Sequence, residues 1–115
     1  MSDQGRTDEH AQELGSSRAE RLDEGDATLL AETFKALGDA TRLRLISAML
    51  PHERCVSDLA AALGMSISAI SHQLSLMRRL RLVRARRAGR RIFYTLDDDH
   101  VRLLFQVSLE HLHHA

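Results

Sequence analysis

Apolar residues recur at three- and four-residue intervals along most of this chain and switch to alternation only once, between residues 82 and 96. The helical pattern starts at Ala27, where Leu29, Leu30, Phe34 and Leu37 form a stripe that Gly38 closes as a C-terminal cap. Asp39 is placed to cap a second helix, whose Leu43, Leu45, Ile46, Met49 and Leu50 supply apolar contacts up to Pro51. His52 to Cys55 read as a loop. Ser57 then caps a short helix from Asp58 to Leu63, which stops at Gly64, and Ser66 caps another from Ile67 to about Arg79. Two helices joined by a turn containing Gly64 form a helix-turn-helix pattern, with Ile70, Leu74 and Met77 of the second facing inward.

After Leu82 the period becomes two. Val83, Ala85 and Arg87 alternate with Arg84 and Arg86, Ala88-Gly89 turns the chain, and Ile92, Tyr94 and Leu96 alternate with Arg91, Phe93 and Thr95. A helix-turn-helix followed at once by a basic hairpin predicts a winged helix, mainly α with a β-hairpin wing. A last helix runs from about Asp98 to His113, with Asp97, Asp98 and Asp99 at its positive end. At 100° per residue, Arg102, Gln106, Glu110 and His113 share a polar strip, while Val101, Leu104, Phe105, Ser108 and Leu112 lie roughly opposite. So much apolar surface on a terminal helix predicts burial against a second copy, with the N- and C-terminal helices forming a homodimer. The expected organisation is an acidic arm over residues 1–25, frayed helix from Glu9 to Arg21 included, a winged helix-turn-helix over 26–97, and a dimerisation and metal-sensing helix over 98–115.

A formal net charge of zero conceals a sharp asymmetry. Acidic residues crowd the first 32 positions, whereas Arg78, Arg79, Arg81, Arg84, Arg86, Arg87, Arg90 and Arg91 follow one another with no acid between them. That local field suits a polyanion. On the predicted second helix, Ser66, Ser68, Ser71, His72, Gln73, Ser75 and Arg78 are candidates for hydrogen bonds to bases or phosphates; the short side chains also permit close approach to a groove. Arg86, Arg87, Arg90 and Arg91 of the wing are candidates for phosphate contacts beside it. The expected partner is double-stranded DNA. One cysteine excludes an intramolecular disulfide framework, and no apolar run approaches a membrane span, so a cytoplasmic protein without a membrane partner is expected.

Asp98 and His100 stand at one end of the last helix, and His111 and His114 at the other. His100 and His111 are separated by roughly 16 Å along the axis at 1.5 Å per residue, far beyond ligand bonds of about 2 Å. Four such ligands close around one ion only if a second helix runs antiparallel, which predicts a dimer with two symmetric intersubunit sites. Three imidazoles and a carboxylate favour Zn(II), with Co(II) a close mimic and Ni(II) an alternative at higher coordination. With four protein ligands no position is open for a catalytic water, so a regulatory site is expected rather than an enzyme; His-Glu-x-x-His is absent as well. His113 projects away from the other three histidines and is excluded. Cys55 and Asp58, three residues apart, form a weaker candidate site that His10 of the arm would complete, but a buried core role for Cys55 is favoured.

Cys55-Val56-Ser57-Asp58-Leu59-Ala60, Ser71-His72-Gln73-Leu74, Gly89-Arg90 before Tyr94 and Leu96, and the segment Asp98 to His114 together resemble the ArsR/SmtB family of metal-sensing repressors over about residues 27–114. The resemblance implies a homodimeric winged helix that binds an inverted repeat as the apo form and leaves it on binding metal, so that metal efflux or sequestration genes are transcribed. It also implies that an Asp-x-His pair from one subunit meets a His-x-x-His pair from the other, and Asp98, His100, His111 and His114 match that pattern. Arsenic and cadmium sensors of the family carry a second cysteine where Ser57 stands, and the arm has no cysteine for an N-terminal thiolate site. Some nickel sensors recruit further ligands from an extended terminus; with the sequence ending at Ala115, Zn(II) or Co(II) is the expected effector. The alternatives are a Ni(II)/Co(II) sensor of the same family and a winged-helix repressor that senses oxidation through Cys55.

Overall fold

The structure is a computed structural model that describes residues 21–114. The elements in chain order are α1 (Glu24–Leu37), α2 (Ala40–Met49), β1 (Arg54–Cys55), α3 (Val56–Leu63), α4 (Ile67–Arg79), β2 (Val83–Ala88), β3 (Arg91–Leu96) and α5 (Asp99–His113). His10 and the predicted helix from Glu9 lie outside the described residues, apart from its last residue. By internal contacts the chain divides into Met1–Thr33 and Phe34–Ala115, and the hydrophobic core belongs to the second unit. No single helix among the described residues is long and apolar enough to cross a membrane.

Two predicted caps are formed. The Asp39 carboxylate accepts from the Arg42 N–H at 3.0 Å, and the Ser66 hydroxyl from the Ala69 N–H at 3.1 Å. Each satisfies an amide that the first helical turn leaves without a partner. Gly64 ends α3 at φ 68°, in the left-handed region that glycine enters without a Cβ penalty. That turn lets α3 and α4 share one core, where Leu59, Ile70, Leu74 and Met77 are fully buried beside Leu45, Ile46 and Met49 of α2. At the end of α4, Arg81 takes a positive φ of 61°, and the Leu82 N–H reaches the Met77 carbonyl at 2.9 Å. Leu82 and Val83 thereby return to the core as the wing begins.

The structure corrects three expectations here. Arg54–Cys55 is a strand rather than loop, and it pairs antiparallel with β3 through Arg54↔Tyr94 and Cys55↔Phe93. The wing is therefore part of a three-stranded sheet, ordered β1-β3-β2. Ser57 does not cap α3: the helix starts at Val56, its N-cap is Cys55, and the Ser57 hydroxyl meets the Cys55 Sγ at 3.2 Å. Arg102 leaves the polar strip of α5, because it is half-buried and donates to the Leu50 carbonyl. In addition, α1 begins at Glu24, one turn ahead of the apolar stripe, where Glu24 and Asp26 suit the positive end of the helix.

Candidate nucleic-acid interface and metal centre

Helix α4 has two unlike faces. Ile70, Leu74 and Met77 are fully buried, whereas Ser68, Ser71, His72, Ser75 and Arg78 are exposed, as the candidate interface requires. Ser66 is exposed too, but its hydroxyl already serves the helix as a cap. Gln73 departs from expectation. It is half-buried, and its side-chain oxygen accepts from the Arg42 Nε at 2.9 Å, while Arg42 also donates to the Ala36 carbonyl at 3.4 Å. Gln73 therefore ties α4 to α2, and its projection falls toward the core side of the helix rather than the serine side. Among the exposed residues of α4, Ile67 alone is aliphatic, and a pattern of polar residues carries no signal for it.

The four wing arginines are not equivalent. Arg87 and Arg90 are exposed, and Gly89 at φ 66° turns the chain between the strands. Arg86 is engaged by Glu53: its Nε lies 3.0 and 3.2 Å from the two carboxylate oxygens and its terminal nitrogen 2.6 Å from one of them. Hydrogen bonding to Arg86 holds the Glu53 carboxyl below the usual range, and the same contact raises Arg86. Arg91 donates to the Cys55 Sγ at 3.0 Å. Both guanidinium groups also lie over the Phe93 ring, 5.2 and 5.4 Å from its centre. This cover explains why Phe93, on the outward alternation of β3, is only half-exposed. Sequence spacing could not show that two of the four cations already have partners, because Glu53 and Cys55 come 33 and 36 positions earlier in the chain.

Cys55 is buried, with 4% of its surface exposed. The Ser57 hydroxyl lowers its thiol pKa most, Arg91 adds to this, and burial opposes it. The weaker candidate metal site thus has a sulfur already engaged by Ser57 and Arg91. The Asp58 backbone N–H also lowers this thiol, while the Asp58 carboxyl raises it. Burial with these partners accords with the favoured core role and leaves little of the sulfur open to an oxidant.

At the start of α5, Asp98 is an extended N-cap whose Oδ1 accepts from the His100 and Val101 N–H groups at 2.9 and 3.1 Å. Its Oδ2 lies 3.6 Å from His100 Nδ1. Capping therefore uses one oxygen and leaves the other beside the imidazole, so the same carboxylate can serve both helix and ion. The Val101 N–H, and after it His100, hold the Asp98 carboxyl below its ordinary range, so it is ionised at neutral pH. The His100 side chain is 93% exposed, and His111 and His114 are exposed at the other end of the helix. Among the described residues of one chain, no three His, Cys, Asp or Glu side chains are grouped to hold a metal. One chain thus presents imidazole and carboxylate donors of the kind Zn(II) takes at the two ends of α5, and neither end alone supplies four ligands.

Much of the surface between these two ends is apolar. Helix α5 has no fully buried residue; Leu103, Val107, Leu109 and Leu112 are exposed, and residues 106–114 all face solvent in a single chain. Phe34, Leu37 and Leu43 join Leu104, Phe105 and Leu112 around one open groove.

Residues 39–85 match the family described as bacterial regulatory protein, arsR family. Over 103 residues, spanning 90% of this chain and 78% of its counterpart, the sequence is 45% identical to a transcriptional repressor SmtB homolog of Synechocystis sp.. The cadmium resistance transcriptional regulatory protein CadC homolog of Staphylococcus aureus is 36% identical over 83 residues, which span 71% of this chain and 69% of that one. Among solved structures, a homodimeric winged helix-turn-helix DNA-binding domain from Mycobacterium bovis superposes with a TM-score of 0.70 at 30% identity, covering 97% of this chain and 95% of that one.

Proposed function

Because this chain belongs to the arsR family of bacterial regulatory proteins, with a winged-helix fold, we propose that it is a metal-responsive repressor that binds operator DNA as a homodimer and leaves it when Zn(II) or Co(II) binds. The observation that carries the metal reading is the placement of two ligand pairs, Asp98–His100 and His111–His114, at opposite ends of a helix whose intervening surface is apolar and uncovered. An antiparallel second copy of α5 brings each pair against its complement and covers Leu103, Val107 and Leu112 in the same step. The homodimeric neighbour from Mycobacterium bovis and the cadmium resistance regulator support the assembly and the class of effector. An ion bound by all four side chains supplies a crosslink between the subunits. The chain's own residues do the rest: Asp98 fixes the start of α5, Arg102 ties α5 to the end of α2, and α2 shares its core with α4. The proposed organisation remains an arm, a winged-helix domain, and a terminal helix for dimerisation and sensing. As a family of transcriptional regulators it offers no enzymatic activity to this chain.

The test is fluorescence anisotropy of the dimer on DNA from its own upstream region, with and without Zn(II). Metal should weaken binding by several-fold to about a hundredfold, the range that a coupling of about 1–3 kcal/mol gives. Equal affinity in both arms would overturn the metal reading. Ni(II) acting where Zn(II) and Co(II) do not would reassign the effector.

On the DNA side, Ser68, Ser71, His72, Ser75 and Arg78 of α4 approach the groove while Arg87 and Arg90 meet phosphates. Arg86 contributes less than its position implies, because Glu53 competes with phosphate for the same guanidinium. Glu53→Gln should therefore steepen the salt dependence of DNA binding by about 0.9 in log–log slope, one phosphate contact's worth. Since the Glu53 pKa is lowered, the pair is intact at neutral pH and opens only as pH falls through that lowered value, below the ordinary glutamate range. An unchanged slope in the glutamine variant would place Arg86 outside the interface altogether.

A further inference from the structure

The exposed face of α4 carries one residue that neither capping nor the core explains. Ile67 is the first residue of the helix and 55% exposed, while Ile70, three positions on, is fully buried. At about 100° per residue, Ile67 projects about 20° from the buried Leu74 and about 40° from Ser71, so it stands where the core face meets the serine face, and at the first turn of the helix it is left exposed. It lines a shallow depression with Ser71, Val56, Ile92 and the wing residues Arg90 and Arg91. A β-branched side chain in this place improves neither helix propensity nor solubility, and the other exposed residues of the helix, Ser68, Ser71, His72, Ser75, Arg78 and Arg79, are all polar.

We propose that Ile67 is a specificity-determining residue that packs on the 5-methyl group of a pyrimidine in the major groove. The inference rests on the DNA-binding reading above. Base edges in that groove present hydrogen-bond donors and acceptors with a single aliphatic feature, the methyl of thymine, which 5-methylcytosine shares. The first turn of a recognition helix is the part that reaches base edges. Arg90 and Arg91 beside Ile67 give the depression the positive border that a polyanion needs, and Ser71, one turn on, is small enough to let the helix approach. The serines of this face accept or donate to any base, so they discriminate weakly, whereas an isoleucine gains only where a methyl is present.

The experiment is atomic substitution in the DNA. An operator is selected from random duplexes with the full-length wild-type protein, and each thymine is replaced in turn by uracil, which lacks the methyl. At one symmetric pair of positions uracil should weaken wild-type binding roughly fourfold per half-site, the factor expected for one buried methyl. Ile67→Ser should lose that discrimination, Ile67→Val should keep most of it, and cytosine-to-5-methylcytosine substitution there tells the two methyl sources apart. A uracil penalty that is unchanged in Ile67→Ser, or a wild-type protein indifferent to every uracil, overturns the assignment. A selection that enriches no sequence overturns the DNA-binding reading with it.

Discussion

Replacing His100 with alanine should leave metal-free DNA binding intact and abolish the response to zinc. His100 exposes 93% of its side chain and enters no core contact, so its loss should change folding stability by no more than about 0.5 kcal/mol. It nevertheless supplies one of the four donors proposed for each ion. If the wild-type response is as much as a hundredfold, the variant's should fall to near unity, read as the ratio of DNA dissociation constants with and without Zn(II). Asp98 is less clean as a test, because its Oδ1 also caps α5, and Asp98→Ala would cost about 1 kcal/mol of helix stability in its own right. Asp98→Asn separates the roles by keeping a capping oxygen while removing the anionic donor. His113→Ala is the matching control: it lies outside the proposed set and should respond to zinc as the wild type does. A full zinc response in His100→Ala would sink the proposed site.

Leu74→Ala should have the largest effect on the fold itself. Leu74 is fully buried in α4, within the cluster formed with Ile46, Leu59 and Met77. Deleting three buried carbons typically costs about 2–5 kcal/mol through lost transfer energy and the cavity left behind. Against a total of about 5–15 kcal/mol for a domain, that removes much of the margin. A fall in melting temperature of roughly 10 °C or more is expected, and DNA binding should weaken because α4 is no longer held in one setting. Ser75→Ala, one residue further and on the opposite face, should shift the melting temperature little. Comparable melting for the two variants would contradict the inside-outside division of α4.

Much of this arrangement can be read from the chain because it depends on local rules. Asp39 and Ser66 cap their helices, Gly64 turns the chain, and alternation after Leu82 marks the wing; each follows from residues within one or two turns of one another. Strand β1 escaped that reading because two residues carry no period, and Arg54 and Cys55 become a strand only through Tyr94 and Phe93, some 40 positions away. The same distance hid the pairing of Arg86 with Glu53 and of Arg91 with Cys55, so that four equivalent cations became two free and two engaged. Gln73 is expected among the groove-facing polar residues, whereas Arg42, 31 positions earlier, gives it a partner on the inner side. Asp98 is legible as a cap, and its geometry leaves the second carboxylate oxygen, beside His100, for the proposed ligand role.

Strand β1 also limits how this wing can vary between relatives. A ribbon of two strands tolerates slippage, but here β3 is gripped on both edges, by β2 along six residue pairs and by β1 at two. Residues can be added at the tip, around Gly89 and Arg90, without disturbing either edge. Deleting Ile92 is different in kind: with the pairs from Phe93 onward held, Arg91 would take its place and turn toward the core side. Length variation in such wings should therefore collect at the tip, and changes within the strands should come in twos.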